Sequence, residues 1–85
     1  MPTIKLYANL RKTAGQKELS IKGTSLNLVL NNLVEQHPAL EGVILKNGQI
    51  RPHFMITING HNTTDLNASV TDQDRIAIFP PIAGG

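Results

Sequence analysis

The chain has 85 residues and a formal net charge of +2. We therefore predict one small domain whose basic residues, spread without a cluster, serve solubility and do not bind nucleic acid. The absence of cysteine excludes disulfides, thiolate metal sites and a catalytic thiol. No apolar run is long enough to span a membrane and the first three residues do not open a signal peptide, so we expect a cytoplasmic protein with no membrane contact.

Two strands are predicted in the first quarter of the chain. Residues 3–8 alternate between apolar and polar side chains, which indicates a strand with one buried face. Residues 17–22 alternate in the same way, with Leu19 and Ile21 directed inward. Residues 9–16 are mostly polar and contain a glycine, which is typical of a connection. The two strands are therefore predicted to form a β-hairpin with a long connection.

A helix is predicted over residues 26–37. Thr24 and Ser25 offer a hydroxyl that can cap the helix N-terminus, and Pro38 disfavours helical geometry at the residue before it. Apolar residues recur at helical spacing and should form the buried stripe of the helix: Leu26, Val29, Leu30, Leu33 and Val34.

The middle of the chain has a weaker signal followed by a strong one. Over residues 39–49 we predict a short helical turn and then a loop. Residues 54–59 alternate and contain β-branched side chains, so we predict a strand there and place it in the centre of the sheet. The pair Asn59-Gly60 favours a hairpin turn because both residues tolerate positive φ, and a short strand or bridge is expected over residues 62–64.

The last predicted elements complete an α+β domain. Residues 71–74 favour a turn, and residues 75–79 alternate as a final strand. The order is then strand, strand, helix, strand, short strand, strand. This order predicts a curled sheet of four to five strands around one main helix.

The polar residues do not form a recognisable catalytic or metal-binding motif. His37, His53 and His61 lack the short paired spacing of a zinc site. Asp72 and Asp74 lack the glycine and glutamate that a calcium loop requires, so we interpret them as turn residues. No glycine-rich loop precedes a helix to bind phosphate. The chain is therefore poorly equipped to be a stand-alone enzyme.

The C-terminal residues are the most informative part of the sequence. Two prolines follow the last predicted strand, and their restricted φ favours a stiff, extended segment. Gly84 and Gly85 have no side chain, so the backbone there can enter a channel too narrow for other residues. We predict a domain over residues 1–79 and a flexible, extended tail over residues 80–85. Six extended residues reach roughly 20 Å, enough to deliver the terminal carboxylate into a partner's active site.

The run VTDQDRIAIFPPIAGG, residues 70–85, resembles the C-terminal sequence of the MoaD/ThiS family of ubiquitin-like sulfur carriers. Chain length and element order agree with the family, and Leu10-Arg11 lies where similar proteins carry such a pair. The resemblance implies a β-grasp (ubiquitin-like) fold with a mixed, curled sheet. The turn reads Asp72-Gln73-Asp74 where the family commonly has Asp-Gly-Asp, a difference that affects turn geometry more than the chemistry of the tail.

The resemblance also implies a chemical role for Gly85. An E1-like adenylating enzyme would use ATP to adenylate the Gly85 carboxylate, and a sulfurtransferase or persulfide donor would then convert it to a thiocarboxylate. ATP is used by that enzyme, and no cofactor is expected on this chain. The chain would act as a cosubstrate that carries sulfur. The residues expected to contact partners are Phe79, Pro80, Pro81, Ile82, Ala83 and Gly84.

Phe79 has two interpretations at this point. It either completes the core or anchors a partner at the root of the tail. Ile82, beyond both prolines, is harder to bury in the domain, so it favours the interface interpretation.

Several functions remain open for such a carrier. The ending of the chain favours the small, non-catalytic subunit of molybdopterin synthase, with the large subunit as sulfur acceptor. The stretches 15–17 and 51–54 also resemble carriers of cysteine biosynthesis, and a carrier for thiamin synthesis belongs to the same alternative. A third function is a ubiquitin-like protein modifier conjugated through Gly85. The last alternative is an interaction module without a reactive terminus.

Overall fold

The computed structural model describes residues 1–81. These residues form seven strands, two α-helices and one 3₁₀ turn in this order: β1 (Thr3–Leu6), α1 (Asn9–Ala14), β2 (Glu18–Ser20), α2 (Leu26–Gln36), the 3₁₀ turn (Pro38–Leu40), β3 (Leu45–Lys46), β4 (Gln49–Ile50), β5 (Met55–Ile58), β6 (His61–Asn62) and β7 (Arg75–Phe79). The predicted division into a domain over residues 1–79 and a tail over residues 80–85 stays a prediction, because residues 82–85 lie outside the described part.

Five of the strands form one mixed sheet in the order β2-β1-β7-β5-β6. The first and last strands, β1 and β7, are parallel neighbours, and the other pairs are antiparallel. The short strands β3 and β4 pair only with each other. The α+β order and the predicted hairpin of the first two strands are confirmed.

One face of the sheet forms the hydrophobic core with α2. The register pairs Ile4 with Ile76 and Leu6 with Ile78, and all four side chains are buried. Because strand side chains alternate between faces, the neighbours of these residues point to the other side of the sheet. The predicted stripe of α2 is confirmed: Leu26, Val29, Leu30 and Leu33 are buried, and Val34 packs against the same core.

Both ends of α2 follow the predicted chemistry. The Ser25 hydroxyl accepts a hydrogen bond from the Leu28 N–H at 3.2 Å, so Ser25 is the N-cap. The helix ends at Gln36, one residue earlier than predicted, and His37 leaves helical geometry before Pro38. Gly23 lies close to the first turn, where a Cβ would be 2.6 Å from Val29 Cγ2 and 2.8 Å from the Val29 nitrogen. A side chain at this position would clash with the helix.

Residues 9–16 form the predicted connection between β1 and β2, but the helix inside it was not predicted. They contain α1, and the first strand ends at Leu6, before the predicted end at residue 8. Ala8 has φ 55° and is exposed, so it lies outside the buried face that alternation assigned to it. The six-residue helix buries only Leu10. One buried residue produces no helical periodicity, and a helix this short depends on tertiary packing for its stability.

Two further predictions need correction in the middle of the chain. The short helical turn is confirmed as the 3₁₀ turn, but the predicted loop after it contains the β3–β4 hairpin. The predicted central strand, β5, lies between β7 and β6, and β7 is the central strand of the sheet. Burial on one face is common to β5 and β7, so apolar alternation cannot distinguish their positions in the sheet.

The turn at Asn59-Gly60 is confirmed, with φ 53° at Asn59 and 85° at Gly60. The strand that follows begins at His61, one residue before the predicted 62–64. The Asn59 side chain also reaches the start of β7: its Oδ1 accepts from the Arg75 N–H at 2.9 Å, and its Nδ2 donates to Asp74 Oδ1 at 2.9 Å. The predicted turn over residues 71–74 is closed by the Thr71 N–H, which donates to Asp74 Oδ2 at 2.8 Å.

We expect Asp74 to make stability depend on pH in the acid range. The Thr71 backbone N–H and then the Asn59 amide donate to the charged carboxylate, and they lower the pKa of Asp74 below its ordinary value of 3.8. The resulting stabilisation is complete above the pKa of the unfolded chain and is lost as pH falls through the lower pKa of the folded chain. Asp74→Asn should therefore be less stable than the parent at neutral pH, and the difference should shrink below pH 3.8.

The measurement is the midpoint of thermal unfolding, followed by circular dichroism for the parent and for Asp74→Asn. The pH series runs from about 2 to about 7, which covers the titration of carboxylates. Glu35→Gln is the matched control, because it makes the corresponding change of charge at an exposed side chain of α2. A constant difference between Asp74→Asn and the parent over the whole range would contradict the expected role of the Asp74 charge.

Candidate functional site

The last described residues show where the C-terminal tail begins. Phe79 is the final residue of the central strand β7, Pro80 is half-buried and Pro81 is exposed. Ile82, Ala83, Gly84 and Gly85, to which we assigned partner contacts and the reactive carboxylate, lie outside the described residues. Their roles stay predictions.

Phe79 lies on the face of the sheet opposite the core. Its strand neighbours Ile76 and Ile78 point inward and are buried, whereas Phe79 is half-buried and does not belong to the core cluster. The interpretation that Phe79 completes the core is therefore wrong. The alternation of β7 places it on the solvent-facing side, at the root of the tail.

Phe79 stacks on Tyr7. Their ring centroids are 4.3 Å apart and the ring planes differ by 18°. The parallel pairing of β1 with β7 produces this contact, since Leu6 lies opposite Ile78 and the Tyr7 N–H donates to the Ile78 carbonyl at 3.3 Å. The alternation over residues 3–8 places Tyr7 on the outer face of its strand, but no local pattern connects it with the tail.

Met55 extends this apolar surface on the other side of β7. It lies opposite Phe79 in the β5–β7 register and is 49% exposed. An exposed methionine offers an adaptable contact, and the stacked rings beside it offer a rigid one. We call the three residues Tyr7, Met55 and Phe79 the open-face patch.

Basic side chains surround the open-face patch. Lys5 Nζ and Arg11 Cζ each lie 5.4 Å from the centre of the Tyr7 ring, within the range of cation–π attraction. Arg75 lies on the same face of β7. The acidic residue that borders this face is Glu18, which pairs with Lys5 across β1 and β2.

The helix α1 explains the pair Leu10-Arg11. Leu10 is fully buried and fixes α1 against the core, so the next side chain projects over β1. The Arg11 Nε then donates to the Leu6 carbonyl at 2.9 Å, just before Tyr7. The guanidinium is therefore held beside the open-face patch by a buried neighbour and by a backbone hydrogen bond.

The tail begins between two shallow depressions. One covers the open face of the sheet, with a volume of about 860 Å³. The other, of about 490 Å³, has Pro80 and Pro81 in one wall and Val43, Pro52 and Phe54 among the others. A partner that surrounds the tail root would contact both surfaces.

The acidic and histidine residues of the described part do not gather beside the tail root. Within residues 1–81, no three His, Asp or Glu side chains are close enough to hold a metal ion. Asp74, whose pKa is lowered, lies at the opposite end of β7 from the tail. No helix in this part of the chain is long and apolar enough to cross a membrane. The geometry is suited to presenting a tail and an adjacent docking surface.

A five-stranded mixed sheet packed on one main helix, with the tail leaving the central strand, defines the β-grasp or ubiquitin-like class. A model of the ThiS family matches residues 4–85, and the chain belongs to that family. The predicted fold and the resemblance to MoaD/ThiS proteins are confirmed.

Named relatives include both modifiers and sulfur carriers. Small archaeal modifier protein 3 from Haloferax volcanii is 28% identical over 88 residues, covering 96% of each chain. The molybdopterin synthase sulfur carrier subunit from Arabidopsis thaliana is 34% identical over 83 residues, covering 94% of this chain and 78% of the relative. The solution structure of small archaeal modifier protein 1 from Methanosarcina acetivorans has a TM-score of 0.88 and 36% identity, covering 99% of this chain and 95% of that one. The chain thus belongs to a ubiquitin-like family of sulfur carriers and modifiers.

Proposed function

We propose that this chain is a sulfur carrier whose Gly85 carboxylate is activated by an E1-like enzyme and converted to a thiocarboxylate. The observation that carries the proposal is the family match, which extends through Gly85. It is supported by the stacked aromatic pair at the tail root, on the face of the sheet opposite the core. In this proposal the chain acts as a cosubstrate, because its own carboxylate is the group that is activated and converted.

The chemistry requires an activating enzyme. A carboxylate is a poor electrophile because its negative charge repels an attacking nucleophile. Transfer of AMP from ATP converts it to an acyl-adenylate, which has a good leaving group and accepts a persulfide. The thiocarboxylate that results is a soft nucleophile, which a second enzyme can use as a sulfur source. The ATP is bound by the activating enzyme, and the persulfide comes from a sulfurtransferase.

The open-face patch is the proposed docking surface for these enzymes. Tyr7, Met55 and Phe79 lie directly beside the point where the tail leaves the domain, so a partner that binds the patch also receives the tail. Rigid aromatic side chains are frequent energetic centres of interfaces. From Pro80, six extended residues reach roughly 20 Å, so the reacting carbonyl can lie deep in a partner while the domain stays outside.

The proposed acceptor is the large subunit of molybdopterin synthase. Support comes from the 34% identity with a molybdopterin synthase sulfur carrier subunit. A second function, conjugation of Gly85 to lysines of other proteins, is favoured by the relatives named small archaeal modifier proteins, which match nearly the whole chain. Both functions use the same activated carboxylate, so one chain can serve both.

Intact-mass measurement of the protein purified from its native host tests the proposal. A gain of about 16 Da localised to Gly85 marks replacement of a terminal oxygen by sulfur. Fragmentation must exclude oxidation of Met1 and Met55, which has the same nominal mass. Conjugates that leave a Gly-Gly remnant on lysines identify the modifier function. If neither species forms when the activating enzyme, ATP and a persulfide donor are supplied, the proposal is wrong.

We expect Phe79→Ala and Tyr7→Ala to weaken productive binding to the activating enzyme by at least about tenfold. Each substitution removes half of the stacked pair at the tail root, and truncation of an interfacial aromatic anchor commonly costs about 2 kcal/mol or more. The measurement is the carrier concentration that gives half-maximal ATP–pyrophosphate exchange.

Leu28→Ala is the control for the patch variants. Leu28 is 48% exposed on α2, on the other side of the domain. It should leave the exchange reaction unchanged. An equal effect of all three substitutions, or none from the two aromatic ones, would show that the partner does not dock on the open-face patch.

A further inference from the structure

Two hairpins in this domain use the same turn sequence. Asn47-Gly48 joins β3 to β4, with φ 55° and 76°, and Asn59-Gly60 joins β5 to β6, with φ 53° and 85°. All four residues are exposed. The two turns are therefore a matched pair in sequence, backbone geometry and solvent access.

The asparagine side chains of these turns have different surroundings. The Asn59 side chain is held at both ends, since its Oδ1 accepts from the Arg75 N–H and its Nδ2 donates to Asp74. Asp74 is itself fixed by the Thr71 N–H. Within residues 1–81, the Asn47 side chain takes part in no hydrogen bond. It is free to rotate toward its own backbone.

We propose that Asn47 is a site of spontaneous covalent modification and that Asn59, in the same turn, is protected by its two hydrogen bonds. In this reaction the Gly48 nitrogen, after losing its proton, attacks Asn47 Cγ. A C–N bond forms, the side-chain amide leaves as ammonia, and a five-membered succinimide results. Water then opens the ring to aspartate or to isoaspartate. No oxidant or reductant is needed, because one water is consumed and one ammonia is released.

The side-chain hydrogen bonds distinguish Asn47 from Asn59. Glycine has no side chain, so the attacking nitrogen is unhindered in both turns and does not separate them. For Asn59 Cγ to reach the Gly60 nitrogen, however, the side chain must give up the bonds to Arg75 and Asp74. Two hydrogen bonds of ordinary net strength correspond to a rate difference of roughly ten- to a hundredfold.

The modification has different consequences at the two positions. At Asn47 it adds a negative charge at the tip of a two-stranded hairpin, next to Lys46, and changes the formal net charge from +2 to +1. At Asn59 it would remove the amide that donates to Asp74 and place a second carboxylate there. The two hydrogen bonds that slow the reaction are thus found at Asn59, where the product would disturb the sheet.

A time course of the full chain at mildly alkaline pH, followed by peptide mapping and mass spectrometry, tests this inference. We expect the gain of about one dalton at Asn47 to appear at least roughly ten times faster than at Asn59. In denaturant the two rates should become similar, because the hydrogen bonds of Asn59 are then lost and both sites are Asn-Gly pairs in an unfolded chain. Asp74→Ala, kept under conditions in which circular dichroism shows it to be folded, should accelerate modification of Asn59 and leave that of Asn47 unchanged.

The parent chain alone is sufficient to overturn the inference. If Asn59 in the folded protein reacts as fast as Asn47, the side-chain bonds give no protection. If Asn47 reacts no faster folded than the other asparagines followed by larger residues, such as Asn62 and Asn67, the turn is not a modification site. An increase at both positions in Asp74→Ala would indicate general loosening of the domain and would contradict the assigned role of Asp74.

Discussion

Deletion of Gly85 is expected to abolish sulfur transfer and conjugation while the midpoint of thermal unfolding changes little. The tail would then be one residue too short to bring the activated carbonyl to the attacking group, and catalysis is sensitive to misplacement of about 1 Å. The domain should tolerate the deletion, because the core cluster is formed by residues between Ile4 and Ile78. The measurements are formation of thiocarboxylate in the presence of activating enzyme, ATP and persulfide donor, and unfolding followed by circular dichroism.

Ala83→Gly is the matched control for the Gly85 deletion. It changes the same segment but keeps its length and its slender backbone, so activation should continue. A large loss of thermal stability on Gly85 deletion would show that the terminus packs against the domain. Unchanged sulfur transfer would contradict Gly85 as the reactive residue and would leave the interaction module as the remaining function.

Leu30→Ala is expected to lower the free energy of unfolding by about 2 to 5 kcal/mol. Leu30 is fully buried in the middle of α2, and the surrounding side chains cannot collapse completely into the space of the missing atoms. An 85-residue domain has a total stability of only about 4 to 13 kcal/mol, so the variant should be close to unfolding at physiological temperature. Chemical denaturation of parent and variant measures the difference.

The control for Leu30→Ala lies two residues away on the same helix. Leu28→Ala makes the same chemical change at a side chain that is 48% exposed, so it should cost less than about 1 kcal/mol. Ile56→Ala provides a second test from the sheet side, since Ile56 is 2% exposed. Equal effects of the two leucine substitutions would contradict the assignment of α2 to the core.

The carrier and modifier functions place the same demand on this domain. Both need a stable body that keeps its shape while the terminus is attached to another protein. The open-face patch lies outside the core, so a partner can bind it without disturbing the packing of α2 on the sheet. Under the proposed function, the product depends on which nucleophile attacks the activated carbonyl, and the partner that receives the tail would supply that nucleophile.

The sequence by itself determined the elements whose signal is local. The stripe and N-cap of α2, the alternation of β7 and the Asn59-Gly60 turn were predicted correctly, because period, capping and turn chemistry act within a few residues. The resemblance of the C-terminal run to MoaD/ThiS proteins indicated the fold, and the family match confirms it. The roles of residues 82–85 stay predictions.

The tertiary structure decided what depends on contacts between distant parts of the chain. The parallel pairing of β1 with β7 brings Tyr7 onto Phe79 and so defines the patch, and no local pattern encodes which strands become neighbours. The helix α1 forms because Leu10 finds a place in the core, although its six residues have no periodic signal. The hydrogen bonds from Asn59 to Asp74 and Arg75 likewise form only because the fold places the turn at residues 59–60 beside the turn at residues 71–74. Local sequence selects the conformation of each segment, whereas the total free energy of non-local packing selects their arrangement.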